Sequence, residues 1–225
     1  MKRNLRSIIT GMILGDGYVS KVKTFSIVHS TKQEEYLLWK VNLLKNKFKF
    51  RIRRYSTYLK QTNKSYPQIS ATTLSYKYFK LIRQYMYGVD NIKKVRLKDL
   101  KKLKSLGLAI WYMDDGCFSF MKNKDKTIRG RQLILNTQSF TYKENEVIQK
   151  YFKDYYDITT RIHKDKDRFR IWMNGTESKK FIDIVRPHIP SCMNYKLCYR
   201  YEKKDLEYNL CKKPCDKNNC EFNIL

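Results

Sequence analysis

Two stretches of the chain are apolar at helical spacing, and both stop at Asp-Gly. Leu5 to Gly17 reads LRSIITGMILGDG and Leu106 to Gly116 reads LGLAIWYMDDG. Each has the length of a buried helix and ends at glycine, the usual C-terminal signal. The two aspartates, Asp16 and Asp115, stand 99 residues apart. The segments beyond them run in parallel. After Asp16 comes an extended stretch (KVKTFSIVHS) and then a helical one, Lys32 to Asn46; after Asp115 comes a longer hairpin-like stretch ending in RQLILNTQS and then a helical one, Tyr142 to Tyr155. Basic strands and a further helix come next in each case, Leu74 to Tyr87 and Ser178 to His188. The pattern predicts an α+β fold in which an αββαββα unit occurs twice, in halves of residues 1–98 and 99–225. The join, around Val95 to Lys104, is charged and contains no Pro or Gly.

The strands show where the charge goes. In KFKFRIR, Lys47, Lys49, Arg51 and Arg53 alternate with Phe48, Phe50 and Ile52, and a strand sends alternate side chains to opposite faces. The second half repeats this with Arg168, Arg170 and Trp172 against Phe169, Ile171 and Met173, and Lys21 and Lys23 precede Phe25 and Ile27. A single strand of this kind reads as a solvated sheet face. Recurrence in both halves favours a row of cations built for a polyanion, since a sheet or ribbon fits the DNA major groove. Lys21, Lys23, Lys49, Arg51, Arg53, Arg131, Arg168 and Arg170 are the candidate DNA contacts, the arginines because a guanidinium pairs well with guanine edges and phosphates.

Composition sharpens this. Lys and Arg number 48 against 21 Asp and Glu in 225 residues, a net charge of +27, which would destabilise a compact fold unless a polyanion shares the surface. A hydrophobic content of 42%, with 14% aromatic, suffices for a core. Apolar runs are interrupted well short of the roughly 18 residues a membrane span needs, and no signal peptide is evident, so no membrane partner is expected. Six cysteines (Cys117, Cys192, Cys198, Cys211, Cys215, Cys220) in a chain of this size fit a reducing, intracellular setting. Four of them fall near the C-terminus without a CxxC pair, which argues against zinc. His29, His163 and His188 lack the spacing of a metal-histidine nuclease and read as structural or DNA-facing.

An aspartate at a helix C-terminus adds charge where the dipole is already negative. One Asp-Gly would be an ordinary turn; two in equivalent places ask for a compensating cation. The carboxylates of Asp16 and Asp115 and the last carbonyls, those of Gly15 and Asp114, are oxygen ligands of the kind Mg²⁺ prefers. Such a metal at a phosphodiester polarises the phosphoryl group and activates water. Gly11 and Gly15 allow close approach of the first helix; the corresponding residues of the second are Ile110 and Asp114, so asymmetric packing is expected.

These residues resemble a known family. Ile9 to Gly17 (ITGMILGDG) and Leu108 to Gly116 (LAIWYMDDG) each share four of nine positions with the LAGLIDADG motif of homing endonucleases. LNTQSFTY at Leu135 to Tyr142 resembles the strand-to-helix segment of the intron-encoded, single-chain branch. NIKKV (Asn91 to Val95) and MNYKL (Met193 to Leu197) are similar to the segments that carry an active-site lysine, which implies Lys94 and Lys196, 78 and 81 residues after their aspartates. The resemblance implies motif helices at a central interface and two antiparallel sheets forming a DNA-binding saddle. It further implies a monomer with internal pseudo-two-fold symmetry that binds a long double-stranded DNA site. One catalytic aspartate would serve each strand, with Mg²⁺ as cofactor, Mn²⁺ as substitute and short 3′ overhangs as product. Leu14 and Met113 replace the first Asp of the motif, a tolerated change, while both terminal aspartates are present. An organelle-encoded, bacterial or phage origin suits the Lys- and Asn-rich composition.

Other readings remain open. Some relatives are maturases, which bind their own intron RNA on the same kind of basic sheet. A DNA-binding protein without cleavage would have lost an aspartate. Tyr112 to Asp115 spell YMDD, as at the reverse-transcriptase hairpin, but here the string ends a helical run and has a partner at Asp16.

Overall fold

The computed structural model describes residues 2–197. The tail cysteines Cys198, Cys211, Cys215 and Cys220 therefore lie outside the described residues; among the described residues Cys117 and Cys192 form no disulfide. The elements run α1 (Lys2–Leu14), β1 (Tyr18–Val19), β2 (Phe25–Ser30), α2 (Glu34–Leu44), β3 (Phe50–Leu59), β4 (Lys64–Thr73), α3 (Lys77–Met86), a short α4 (Leu97–Leu100), α5 (Ser105–Asp115), β5 (Gly116–Lys122), β6 (Ile128–Leu135), α6 (Tyr142–Tyr156), β7 (Arg161–Asp165), β8 (Arg168–Met173) and α7 (Gly175–Val185). The αββαββα order does occur twice. Each half holds a four-stranded antiparallel sheet, ordered β1-β2-β4-β3 in one and β5-β6-β8-β7 in the other.

The chain divides into two compact units, Met1–Trp111 and Tyr112–Leu225. The sequence repeat and the packing unit are thus different things, because α5 opens the second repeat while its first seven residues pack within the first unit. There α1 and α5 cross at glycines. A Cβ on Gly11 would sit 2.0 Å from the Gly107 carbonyl oxygen, and one on Gly107 would sit 2.4 Å from that of Ser7. Gly107, rather than Gly15, is the second member of this close approach. Ser7 also ties the helices together by accepting the Lys104 backbone N–H at 2.8 Å.

The first unit packs Ile9, Met12 and Ile13 of α1 with Phe25 and Ile27 of β2, Ile69 and Ala71 of β4, and Leu37, Phe79 and Ile82 of the helices, nearly all at zero exposure. The second packs Leu133, Leu135, Ile171 and Met173 of its sheet on Ile148, Phe152, Phe181 and Ile182. Helix α6 starts at a capping box formed by Thr141 and Glu144 and ends at left-handed Asp157 (φ 48°), so its end groups are satisfied locally.

One strand departs from the alternation read in KFKFRIR. β3 begins at Phe50, leaving Lys47, Phe48 and Lys49 in the connection before it, and it is an edge strand whose residues are nearly all exposed. Phe48 is buried, yet Ile52 is 41% exposed. In β8 the alternation holds, with Ile171 and Met173 inward and Arg168 exposed.

Gly11→Ala is expected to lower the unfolding free energy by about 3 kcal/mol in urea titrations, because backbone rather than a flexible side chain blocks the new methyl. Gly175→Ala, whose Cβ would find its nearest neighbour at 3.5 Å, should change stability by less than about 0.5 kcal/mol.

Candidate active site

Both motif aspartates stand where an apolar helix ends. Asp16 lies two residues beyond α1 and Asp115 is the last residue of α5. The glycine after each has a packing cause. A Cβ on Gly17 would meet the Met12 carbonyl oxygen at 2.6 Å and the Phe25 ring at 2.8 Å, and one on Gly116 would meet the Tyr112 ring at 2.0 Å. The Asp-Gly pair turns the chain off the helix where no side chain fits.

A lysine then reaches the backbone beside each aspartate. Lys93 Nζ donates to the Gly15 carbonyl at 2.7 Å, and Lys196 Nζ donates to the Gly116 carbonyl at 2.8 Å. In the first half this puts an ammonium on a carbonyl at the negative end of α1, the compensation that the helix dipole asks for. The lysine differs from the expected one in the first half. Lys94 instead pairs with Asp90 at 2.9 Å. Lys93 forms an antiparallel bridge with Tyr87, and alternation along extended chain sends the two lysines to opposite sides. In the second half Tyr112 braces the segment, its hydroxyl donating to the Lys196 carbonyl at 2.5 Å. Burial, chiefly, pushes that phenol far above its ordinary pKa, so it remains a donor at every working pH.

Asp16 has a further neighbour that the spacing of the histidines does not reveal. His29 Nδ1 lies 3.6 Å from Asp16 Oδ2; the histidine side chain is 3% exposed and the aspartate 43%. Its position could have been found from β2 alone, where Phe25, Ile27 and His29 are the inward residues of the alternation. The Asp16 carboxylate, open to solvent at the end of a helix, is a hard oxygen donor that fits a divalent cation. Asp114 and Asp115 are each half-buried. The Gly15 carbonyl, a candidate ligand, is the one that takes the Lys93 ammonium.

The charged strands give each sheet one face away from its helices. Arg51 pairs with Thr72 and Arg53 with Ser70, on the side of β3 and β4 opposite buried Ile69 and Ala71. With Thr24 and Tyr55 these side chains line a groove. Arg54 falls on the other side and pairs with Glu34 of α2. Lys21 and Lys23 are in or beside the exposed turn between β1 and β2, and Lys49 is exposed before β3. In the second sheet Arg161 faces Trp172 and His163 faces Arg170. The Trp172 indole donates to Gln132 at 2.7 Å and the His163 ring stacks on it at 4.9 Å. Arg168 is exposed, and Arg170 is half-buried with Asp165 at 3.7 Å. Arg131 lies on the opposite side of β6 from Gln132, the side of buried Leu133 and Leu135, so the register does not put it with the other candidate DNA contacts.

Residues 6–181 match the profile of the LAGLIDADG DNA endonuclease family, and the chain belongs to that family. It is 29% identical over 212 residues to cytochrome b mRNA maturase bI2 of Saccharomyces cerevisiae, covering 88% of this chain and 48% of that protein. It is 28% identical over 129 residues to a probable intron-encoded DNA endonuclease 3 of Mycosarcoma maydis, covering 56% of this chain and 89% of that one. The chain spans about half the length of several of its curated relatives. Its fold matches that of the homing endonuclease I-WcaI bound to its DNA recognition sequence, with a TM-score of 0.76, 22% identity and 88% of each chain covered. Among the described residues no helix is long and apolar enough to cross a membrane.

Burial first, then the cations of Arg170 and Arg161, holds the His163 imidazole below its ordinary pKa. An NMR titration should therefore find His163 neutral at pH 7, and Arg170→Gln should raise its midpoint by removing a charge that opposes the imidazolium.

Proposed function

We propose that the protein is a site-specific, divalent-metal-dependent DNA endonuclease that cuts both strands of a long target and leaves short 3′ overhangs. The observation that carries this reading is the repeated pairing of a helix-end aspartate with a lysine held on the adjoining backbone, Asp16 with Lys93 and Asp115 with Lys196. Two such pairs suit two phosphodiesters, one per strand. Asp16 and Asp115, with the neighbouring carbonyls of Gly15 and Asp114, would hold Mg²⁺ or Mn²⁺, which when bound polarises the phosphoryl group and activates water. The ammonium of each pair stabilises negative charge on the phosphate and orients the attacking water. Lys93, in place of Lys94, takes this part in the first half. Arg51, Arg53, Arg168 and Arg170 follow the duplex, with Lys21, Lys23 and Lys49 supplying phosphate contacts. The internal repeat supports action as a monomer, and the similarity to an intron-encoded endonuclease supports an intron-borne origin, organellar, bacterial or phage.

A second reading is an RNA maturase. It is supported by the 29% identity to maturase bI2 and by Tyr55, Tyr58 and Tyr66, exposed on the β3–β4 hairpin, where aromatic rings can stack on unpaired bases.

On a supercoiled plasmid carrying a cleavable site, the native protein should make linear DNA in Mg²⁺ and nothing in EDTA. Asp16→Asn and Asp115→Asn should each leave nicked circles, opened in opposite strands. Lys93→Met and Lys196→Met should slow cutting by about 100-fold, the cost of losing one charge-stabilising donor, while Lys94→Met leaves it nearly unchanged. Linear product from either aspartate variant would overturn the assignment of one carboxylate to each strand.

A further inference from the structure

Lys40 is fully buried in α2, where an ammonium costs several kcal/mol to desolvate. Its Nζ lies 3.1 Å from His29 Nε2 and 4.4 Å from the centre of the Tyr36 ring. Tyr36 is itself fixed, its hydroxyl reaching the Ile110 carbonyl at 3.4 Å and its ring lying 5.2 Å from that of His29. As an ammonium, Lys40 donates and cannot accept, and the imidazole nitrogen it meets then presents a lone pair. The proton of the neutral ring then sits on Nδ1. Nδ1 is the nitrogen nearer Asp16, 3.6 Å from Oδ2.

We propose that Lys40 is a positioning residue for the first motif aspartate, acting through His29. Lys40 fixes the imidazole tautomer so that an N–H, and not a lone pair, is offered toward the Asp16 carboxylate. His29 then orients that carboxylate as a donor and does not itself ligate metal. The inference rests on the reading that Asp16 serves one strand. It is a property of one half alone. In the second unit the strand-to-helix contact after β6 is neutral, with the Thr137 hydroxyl donating to Asn145 Oδ1 at 2.5 Å. Disturbing Lys40 should therefore slow the cutting of one strand and spare the other, which general destabilisation would not do.

Two measurements on the full chain test this. The first is ¹⁵N NMR of the imidazoles in metal-free protein labelled at its three histidines, with His29 assigned from a His29→Gln variant. The expected result is the Nδ1–H tautomer at His29, shifting toward Nε2–H in Lys40→Met, or in Lys40→Gln if the first variant does not fold. An Nε2–H tautomer in the native protein would overturn the proposal and make His29 a metal ligand instead. The second is cleavage of end-labelled duplex, each strand followed separately. Lys40→Met should slow by about 10-fold the strand whose cutting Asp16→Asn abolishes, as expected for a group that orients a ligand, with the other strand unaffected. Equal slowing of both strands, or no slowing, would overturn the positioning role. If the native protein cuts no DNA, the endonuclease reading fails, and the NMR result still decides whether Lys40 sets the histidine.

Discussion

No side chain fits between α1 and the start of α5 at Gly11 and Gly107, and much of the site depends on that backbone contact. Apolar residues fill most positions of these helices, and the buried Ser7 of α1 is held by the Lys104 backbone N–H. Leu108 to Met113 are buried at every position of the helical wheel, at 0 to 1% exposure. The carboxylates stand where the helices end, at Asp16 and Asp115. Glycine after each aspartate turns the chain through space that a side chain would fill, and Lys93 and Lys196 bring an ammonium to the backbone beside each turn. The same segments make the core of the fold and carry the two Asp-Gly turns.

The two halves reach this arrangement by different local means. In the first, the lysine binds the carbonyl one residue before its aspartate; in the second, the one just after. The first half adds the buried His29 and Lys40, where the second uses the neutral Thr137 and Asn145. The sheets differ as well. Arginines 51 and 53 lie on an exposed edge strand, whereas the arginines of β7 and β8 share a face with a Trp172 held by Gln132.

Much of this is legible in the sequence because its signals are local and repeated. The motif helices, the order of elements, and the inward Ile171 and Met173 follow from periodicity. The features that escape depend on tertiary placement. That Lys93, and not its neighbour, reaches the Gly15 carbonyl goes with the bridge from Tyr87, which sends neighbouring lysines to opposite sides. Ile52 alternates like a core residue, yet its strand lies at the sheet edge, so burial does not follow. Arg131 reads as one more cation until its register puts it on the side of Leu133. His29 has no metal-binding spacing, because its relation to Asp16 is across the fold, and Lys40 looks like an ordinary helix lysine. Gly107 has no counterpart in the repeat, since the helix crossing is not symmetric in sequence.

The measurement that bears most directly on the whole account is cleavage of a plasmid library with randomised inserts by the purified protein in Mg²⁺, with sequencing of both ends of every cut. The account predicts paired cuts at one family of long sequences, one on each strand, offset by a short and constant 3′ overhang. Tight binding to library members or to structured RNA without any broken strand would contradict it and leave the RNA-binding reading in its place.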